Sequence, residues 1–413
     1  MKYILVIGDG MADNPVVELG GKTPLETAKK PTIDRLAAQG QVGHVVNCPE
    51  PLPAGSETAI LSIFGCDPLR YFTGRSPMEA AASGIELHPG DVAYRCNLIA
   101  LSDEGGALAQ RRILSHSAGS IEGADALRVM EILEGDEAFR KLEEEAGMEI
   151  HRFPAFRQIA VQHGGDVEGI RLIPPHDHLG EAAGPLLPSG NQNAKMLLEL
   201  EEVAHRILDR HPFNEKRRKE GKLPANGIWF WAEGTAVELP DFQKAYGHWG
   251  GVISAVPLCH GIGVLRGLRQ IEVEGATGEL DTNFEGKMQA AYDLLHTEAD
   301  FVCIHVEAPD ECTHNGDLKG KLQAIEWLDS RLLTPLLKRL DGESMDYRVL
   351  LLSDHKTLTA TRGHAGGPVP FLLYQSGVDS GQGGVYDEKA GLAGRCVSAG
   401  CELLEYLFGR RQL

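Results

Sequence analysis

The 413-residue chain has no apolar run that approaches the roughly 18 residues a membrane-spanning helix needs. Its longest such runs, Ile4-Leu5-Val6-Ile7 and Val349-Leu350-Leu351-Leu352, suit buried strands instead. It also lacks positive charge. The formal net charge of -19 argues against a general nucleic-acid or anionic-membrane partner, both of which need a basic surface. The eight cysteines (48, 66, 96, 259, 303, 312, 396 and 401) are scattered and form no C-x-x-C pair, so reduced thiols are expected. No signal-peptide pattern precedes the first strand-like run, and together with the cysteines this predicts a cytoplasmic location. Neither G-x-G-x-x-G nor G-x-x-x-x-G-K-[ST] occurs, which disfavours a P-loop nucleotide enzyme. No repeat or low-complexity block is evident.

What is present is a soluble globular composition, 42% hydrophobic and 24% charged, on a chain too long for one ordinary core. Residues 2–7 read as a buried strand followed by the loop Gly8-Asp9-Gly10-Met11-Ala12-Asp13. Thr23-Pro24-Leu25-Glu26 fits a capping box, and a second short helix should run from near Thr32 to Gly40. Pro53-Ala54-Gly55 breaks the chain before an apolar helix over residues 58–64, so Ser56 falls at or just before a helix N-terminus. Later come strands at 301–306, 347–352 and 370–374, with helices at 317–340 and 398–408. Strands alternating with helices of this length predict an α/β fold with a mostly parallel sheet covered on both faces. The middle differs. It has mixed short strands, a charged helix near 194–209 and a basic island, Lys216-Arg217-Arg218-Lys219. We therefore expect a core domain of residues 1–90 and 256–413, with a smaller α+β domain, residues 91–255, inserted into it.

Three expected strand ends carry metal-ligand residue types: Asp9, then Asp310 with His314, then Asp354-His355 with His364 in the following loop. In an open α/β sheet, ligands bind beyond the carboxyl ends of the strands, so residues hundreds of positions apart would converge. Each alone reads as a cap, turn or surface residue. Six such ligands are too many for one tetrahedral ion. A carboxylate–imidazole set without thiolates suits Mn²⁺ or Zn²⁺, with Mg²⁺ less suited, and two ions would fit the count. Ser56 is then a nucleophile candidate, because metal coordination and a helix N-terminus both stabilise its alkoxide. Without the metals it reads as an ordinary N-cap. Bound cations and a few arginines would also let so acidic a chain accept a small phosphorylated anion. Arg95 lies in a strand-like run, where a charge should face a partner or ligand. His176 and Asp177 fit either substrate contacts or a structured turn. Trp229 and Trp231, two apart, share one strand face.

At these residues the chain resembles the archaeal-type, cofactor-independent phosphoglycerate mutases of the alkaline phosphatase superfamily. The resemblance runs nearly end to end. It rests on Gly8-Asp9-Gly10-Met11-Ala12-Asp13, Gly55-Ser56-Glu57-Thr58-Ala59, Gly65-Cys66-Asp67-Pro68, Arg95-Cys96-Asn97, Pro174-Pro175-His176-Asp177, Ala308-Pro309-Asp310 through His314-Asn315-Gly316-Asp317, and Ser353-Asp354-His355. The resemblance implies an alkaline phosphatase-like core. One divalent ion would be held by Asp310, His314 and His364, and another by Asp9, Ser56, Asp354 and His355, with no 2,3-bisphosphoglycerate. Ser56 would take the phosphoryl group from 3-phosphoglycerate and return it to the 2-hydroxyl. Arg95, Asn97, Arg157, His176 and Asp177 would bind substrate, and the inserted domain would close over it to exclude water. Three departures bear on the substrate: Glu57 where Asp is frequent, Cys66 where Tyr is frequent, and Trp231-Ala232-Glu233-Gly234 in place of Trp-Gly-x-Gly. A phosphotransferase with another acceptor such as homoserine, a phosphatase or phosphodiesterase, and a non-catalytic binding protein remain alternatives. His116 and Asp91 are acid–base candidates by position.

Overall fold

The computed structural model describes residues 1–104, 106–381 and 383–412. The chain divides into two compact units. One comprises Met1–Phe72, Ala81–Ser83 and Glu238–Leu413; the other comprises Thr73–Ala80 and Gly84–Val237.

The first unit is built on an eight-stranded sheet. Its order is Arg395–Val397, Gln41–Val45, Val369–Gln375, Tyr347–Leu352, Lys2–Gly8, Phe301–Val306, Gly250–Ile253, Arg269–Ile271. Lys2–Gly8 sits in the middle, parallel to both neighbours. Ile4, Leu5, Val6 and Ile7 are all fully buried, as a central strand covered on both faces requires. The sheet departs from parallel at Val369–Gln375, which pairs antiparallel with both Tyr347–Leu352 and Gln41–Val45. A parallel return needs a crossover, usually a helix. Residues 353–368 instead hold the short hairpin Lys356–Leu358 with Gly363–Ala365. Gly250–Ile253, expected from its sequence to lie in the insertion, pairs parallel with Phe301–Val306 in the large sheet. Its glycines hid it: a Cβ on Gly250 would lie 1.7 Å from the Phe301 carbonyl oxygen.

The long helix expected over 317–340 is interrupted. Leu318–Trp327 passes through a wide π turn, Leu328–Leu333, into Thr334–Gly342. Pro335 has no N–H to give to the preceding turn, which breaks the i→i−4 ladder there. Buried Asp329 in that turn accepts the backbone N–H of Ile33 at 2.7 Å and so caps the helix Pro31–Gln39, whose own N-cap residue supplies no side-chain bond. The helix expected over 398–408 is shorter, a 3₁₀ turn Gly400–Glu402 running into Leu403–Leu407.

The second unit is an antiparallel sheet in the order Ile113–Ser115, Asp91–Leu101, Arg157–His163, Met148–His151, with Gly227–Thr235 also paired to Asp91–Leu101. Every residue of Asp91–Leu101 is buried. Helices Gly123–Glu134, Glu137–Ala146 and Gln192–Leu208 cover the face carrying Val92, Tyr94, Cys96 and Phe230. Trp229 and Trp231 share the other core with Ile99 and Leu101, as their spacing predicts. The basic island forms the helix Pro212–Lys219. Arg217 turns inward to Asp125 at 2.6 Å, and Arg218 to Asp103 at 2.8 Å.

Candidate metal centre and anion cluster

Asp9 follows the last residue of the strand Lys2–Gly8. Gly10 next to it has φ +61°, a left-handed turn that favours glycine, and a Cβ there would lie 2.7 Å from Asp310 Oδ1. Ser56 occupies the first position of the helix Ser56–Ile63. Gly55 is the cap residue, and no side chain caps that end. The serine is therefore not the N-cap: its hydroxyl points away from the helix, to Asp9 Oδ2 at 3.3 Å and His355 Nε2 at 3.2 Å. His355 Nε2 also lies 3.5 Å from Asp9 Oδ1 and 3.3 Å from Asp354 Oδ2. Asp354 turns its other oxygen to two backbone N–H groups, Gly10 at 3.1 Å and His355 at 2.8 Å. Beside this cluster, Asp310 Oδ2 meets His314 Nε2 at 3.1 Å and Oδ1 meets His364 Nε2 at 3.4 Å, with the two imidazole nitrogens 2.9 Å apart. His314 is oriented by its other nitrogen, which donates to the Arg362 carbonyl at 2.8 Å. All seven predicted residues, Asp9, Ser56, Asp310, His314, Asp354, His355 and His364, thus come together.

The charges are unbalanced. Burial, then the neighbouring Asp354 and Asp310, push the Asp9 carboxyl well above the ordinary range. Asp310 is held below it despite burial, because His314 and His364 donate to it. The bond to Asp310 in turn raises His314 to about 9. Asp9 Oδ1 and Asp354 Oδ2 are buried with no hydrogen-bond partner. Unpartnered buried carboxylate oxygens are costly, and a cation would satisfy both. Ligand atoms of Asp9, Asp354 and His355 lie within 4.8 Å of one another, and so do those of Asp310, His355 and His364. The residues therefore fit a pair of divalent cations. Among the described residues neither group includes a cysteine, and the Cys48 thiol is pushed up to about 12 by burial and by Asp354.

The substrate-binding candidates lie in the second unit. Arg95 is buried and forms a two-pronged ion pair with Glu79, over the face of Trp231. Arg157, on the adjacent strand opposite Asn97, is lowered to about 10 by burial and by Arg95. Asn97 Nδ2 donates to the His116 carbonyl at 2.9 Å, and its Oδ1 accepts from Trp231 Nε1 at 3.1 Å. The His176 ring lies 5.0 Å from Trp231 and 6.0 Å from His116. Burial, with Arg157 nearby, lowers both imidazoles from their usual value. Asp177 is exposed, 3.6 Å from His176. Asp91 stands apart: it pairs with His163 at 2.8 Å, six residues and so about 20 Å along the strand from Asn97.

Residues 37–214 match the family described as 2,3-bisphosphoglycerate-independent phosphoglycerate mutase. A protein of that name from Methanosarcina acetivorans is 42% identical over 392 residues, covering 94% of this chain and 95% of that one. The chain belongs to this mutase family. The fold agrees. A solved Pyrococcus horikoshii protein superposes with a TM-score of 0.80 at 28% identity, covering 100% of this chain and 99% of that one. A cofactor-independent phosphoglycerate mutase from Thermoplasma acidophilum gives 0.64 at 25% identity, covering 98% and 99%.

In this mutase-family chain, Cys66 is a packing residue: its Sγ lies 3.0 Å from the buried Arg266 guanidinium, which also bonds the Phe64 carbonyl. Ala232, at φ +55°, offers its carbonyl to Ser76. Sequence reasoning missed His305, whose Nε2 donates to Asp9 Oδ2 at 3.0 Å while Nδ1 accepts from Ser254 Oγ at 2.9 Å. Burial, then Lys287, lowers it to about 3, so it is neutral. A histidine in the middle of an apolar strand was the available signal. Also missed was the buried pair Lys321–Asp13, 2.9 Å apart, which fastens the loop after Asp9 to the Thr357 carbonyl.

Proposed function

We propose that this chain carries out the reaction its family is named for, interconverting 3- and 2-phosphoglycerate, with Ser56 as the phosphoryl carrier. Asp9, Asp354, His355 and Ser56 hold one divalent cation, and Asp310, His314 and His364 hold the other. The observation that carries this reading is the Ser56 hydroxyl at a helix N-terminus within 3.3 Å of Asp9 and 3.2 Å of His355. When bound, the cations supply positive charge beside the serine oxygen and the phosphoryl oxygens, and Mn²⁺ or Zn²⁺ suits this donor set better than Mg²⁺.

The chain's own groups do the rest. The Ser56 hydroxyl donates to Asp9 Oδ2, and this bond, with His355 Nε2 3.2 Å away on the other side, aims Oγ. The N-terminus of helix Ser56–Ile63, which no side chain caps, carries partial positive charge that favours developing negative charge on the serine oxygen. The bond from phosphorus to the 3-oxygen breaks as the bond to Ser56 Oγ forms. Glycerate then accepts the group on its 2-oxygen, and the serine is restored without 2,3-bisphosphoglycerate. Arg157 and Arg95 serve the substrate's anionic groups, and Asn97, His176 and Asp177 make its other contacts. The eight free cysteines support a cytoplasmic setting, and the proposed reaction on 3-phosphoglycerate supports a glycolytic one.

The test is a coupled assay. Protein reconstituted with Mn²⁺ and given 3-phosphoglycerate should feed enolase. No signal with Mn²⁺, Zn²⁺, Co²⁺ or Mg²⁺ sinks the mutase reading. ATP consumption that depends on homoserine would move the acceptor, and phosphate release outrunning isomerisation would make the chain a hydrolase.

A further inference from the structure

The two ligand clusters meet at Thr357, a residue to which neither the sequence motifs nor the proposed reaction gives a role. It is fully buried in the strand Lys356–Leu358. Its backbone is held from two sides. The N–H donates to the Ala12 carbonyl at 3.1 Å, in the loop that carries Asp9. The carbonyl accepts from Lys321 Nζ at 2.7 Å. Across the hairpin its register partner is His364. The hydroxyl oxygen then lies 2.5 Å from Asp310 Oδ1 in one cluster and 3.3 Å from His355 Nδ1 in the other. Gly10 leaves room for this contact, since a Cβ there would lie 2.5 Å from the Thr357 oxygen.

Counting protons fixes the direction of both bonds. A threonine hydroxyl has one hydrogen and two lone pairs, and a carboxylate only accepts. If the hydroxyl gave its hydrogen to His355, two oxygens would stand 2.5 Å apart with no proton between them. The hydrogen therefore goes to Asp310, and a lone pair faces His355 Nδ1. That nitrogen therefore carries a proton when this bond is made, and the nitrogen left to ligate a cation is Nε2, which faces Ser56 and Asp9. A bare Nε2 is the form that ligates a cation.

We propose that Thr357 is a positioning residue whose hydroxyl donates to Asp310 and accepts from His355 Nδ1, holding His355 in the ligating tautomer and coupling the two clusters. The proposal rests on reading these residues as cation ligands. Thr357→Val keeps the shape and removes the hydroxyl, whereas Thr357→Ser keeps the hydroxyl.

Two measurements on the metal-free full chain test it. In ¹⁵N-histidine spectra, with the His355 signals assigned by their loss in His355→Gln, wild type should show a proton on His355 Nδ1. In calorimetric titration with Mn²⁺, Thr357→Val should bind at least ~10-fold more weakly than wild type, with Thr357→Ser close to wild type. A His355 whose Nδ1 carries no proton in the wild-type chain overturns the proposal, and that result needs no variant to fold. Thr357→Val affinities within about two-fold of wild type overturn it as well, as does Thr357→Ser binding as weakly as Thr357→Val. A wild-type chain that binds no Mn²⁺ overturns the metal reading under Proposed function, while the tautomer still decides the Thr357 bonds.

Discussion

The two ligand clusters share residue types and differ in how they handle charge. Around Asp9, Asp354 and His355 everything is buried, and carboxylates crowd each other, so Asp9 resists ionisation and two oxygens lack partners. Around Asp310 two imidazoles, each about a third exposed, supply the missing positive charge themselves. His314 is raised to about 9 and Asp310 is held low. The first cluster is thus poised for a cation, which would relieve the repulsion between buried carboxylates there. The second can compensate with protons when metal is absent. Burial decides which way a carboxylate–imidazole group turns, because desolvation penalises unbalanced charge far more in the interior than at the rim. Ser56 belongs to the unbalanced cluster, where a cation would do most to acidify its hydroxyl.

The most severe way to test the contrast is Ser56→Ala. Turnover should fall by more than ~10⁴-fold while Mn²⁺ binding is largely kept, because the carboxylates and imidazoles remain. Near-normal activity in this variant would end the covalent mechanism. Next comes chelation. Exhaustive EDTA treatment should inactivate the protein reversibly and lower its stability by ~4 kcal/mol relative to protein held at a thousand-fold excess of metal over its dissociation constant. Unchanged activity and melting temperature would rule out the metal centre.

A smaller effect separates the clusters directly. In the metal-free protein, Asp9→Asn should stabilise the chain by on the order of 1 kcal/mol by removing a repelled buried charge. Asp310→Asn should destabilise it by about 1–2 kcal/mol, less than a fully buried pair because the imidazoles are partly solvated. Urea unfolding of both variants after chelation reads the two signs, and equal signs would erase the distinction. The mildest test is pH. His314 is raised in the folded state, so its stabilising share is complete below its ordinary value of 6.5 and is lost as pH rises through about 9. The urea midpoint of the chelated protein should therefore fall between those limits, and His314→Gln should flatten that part of the profile.

Much of this was legible in the chain. The largely apolar strands at 2–7, 301–306 and 347–352 announce a covered parallel sheet, and such sheets place their loops at one end. That rule by itself gathers Asp9, Asp310 and Asp354, and the parallel register of the three strands agrees with it. Strand Gly250–Ile253 was not legible, because close backbone approach demands glycine and glycine carries no strand signal. The reversed strand Val369–Gln375 was not legible either, since an apolar run does not state its direction.

The sequence by itself determined which residues of cation-ligand type fall at the strand ends and, through its family motifs, which serine to propose as the phosphoryl carrier. It could not say whether Ser56 caps its helix or leaves that job undone. Only the fold decided that, by setting the hydroxyl against Asp9 and His355 from distant loops. Tertiary structure likewise decided the protonation pattern and the roles of His305, Thr357 and Lys321. Those properties depend on burial and on partners up to about 300 residues away, and neither quantity is written in local sequence.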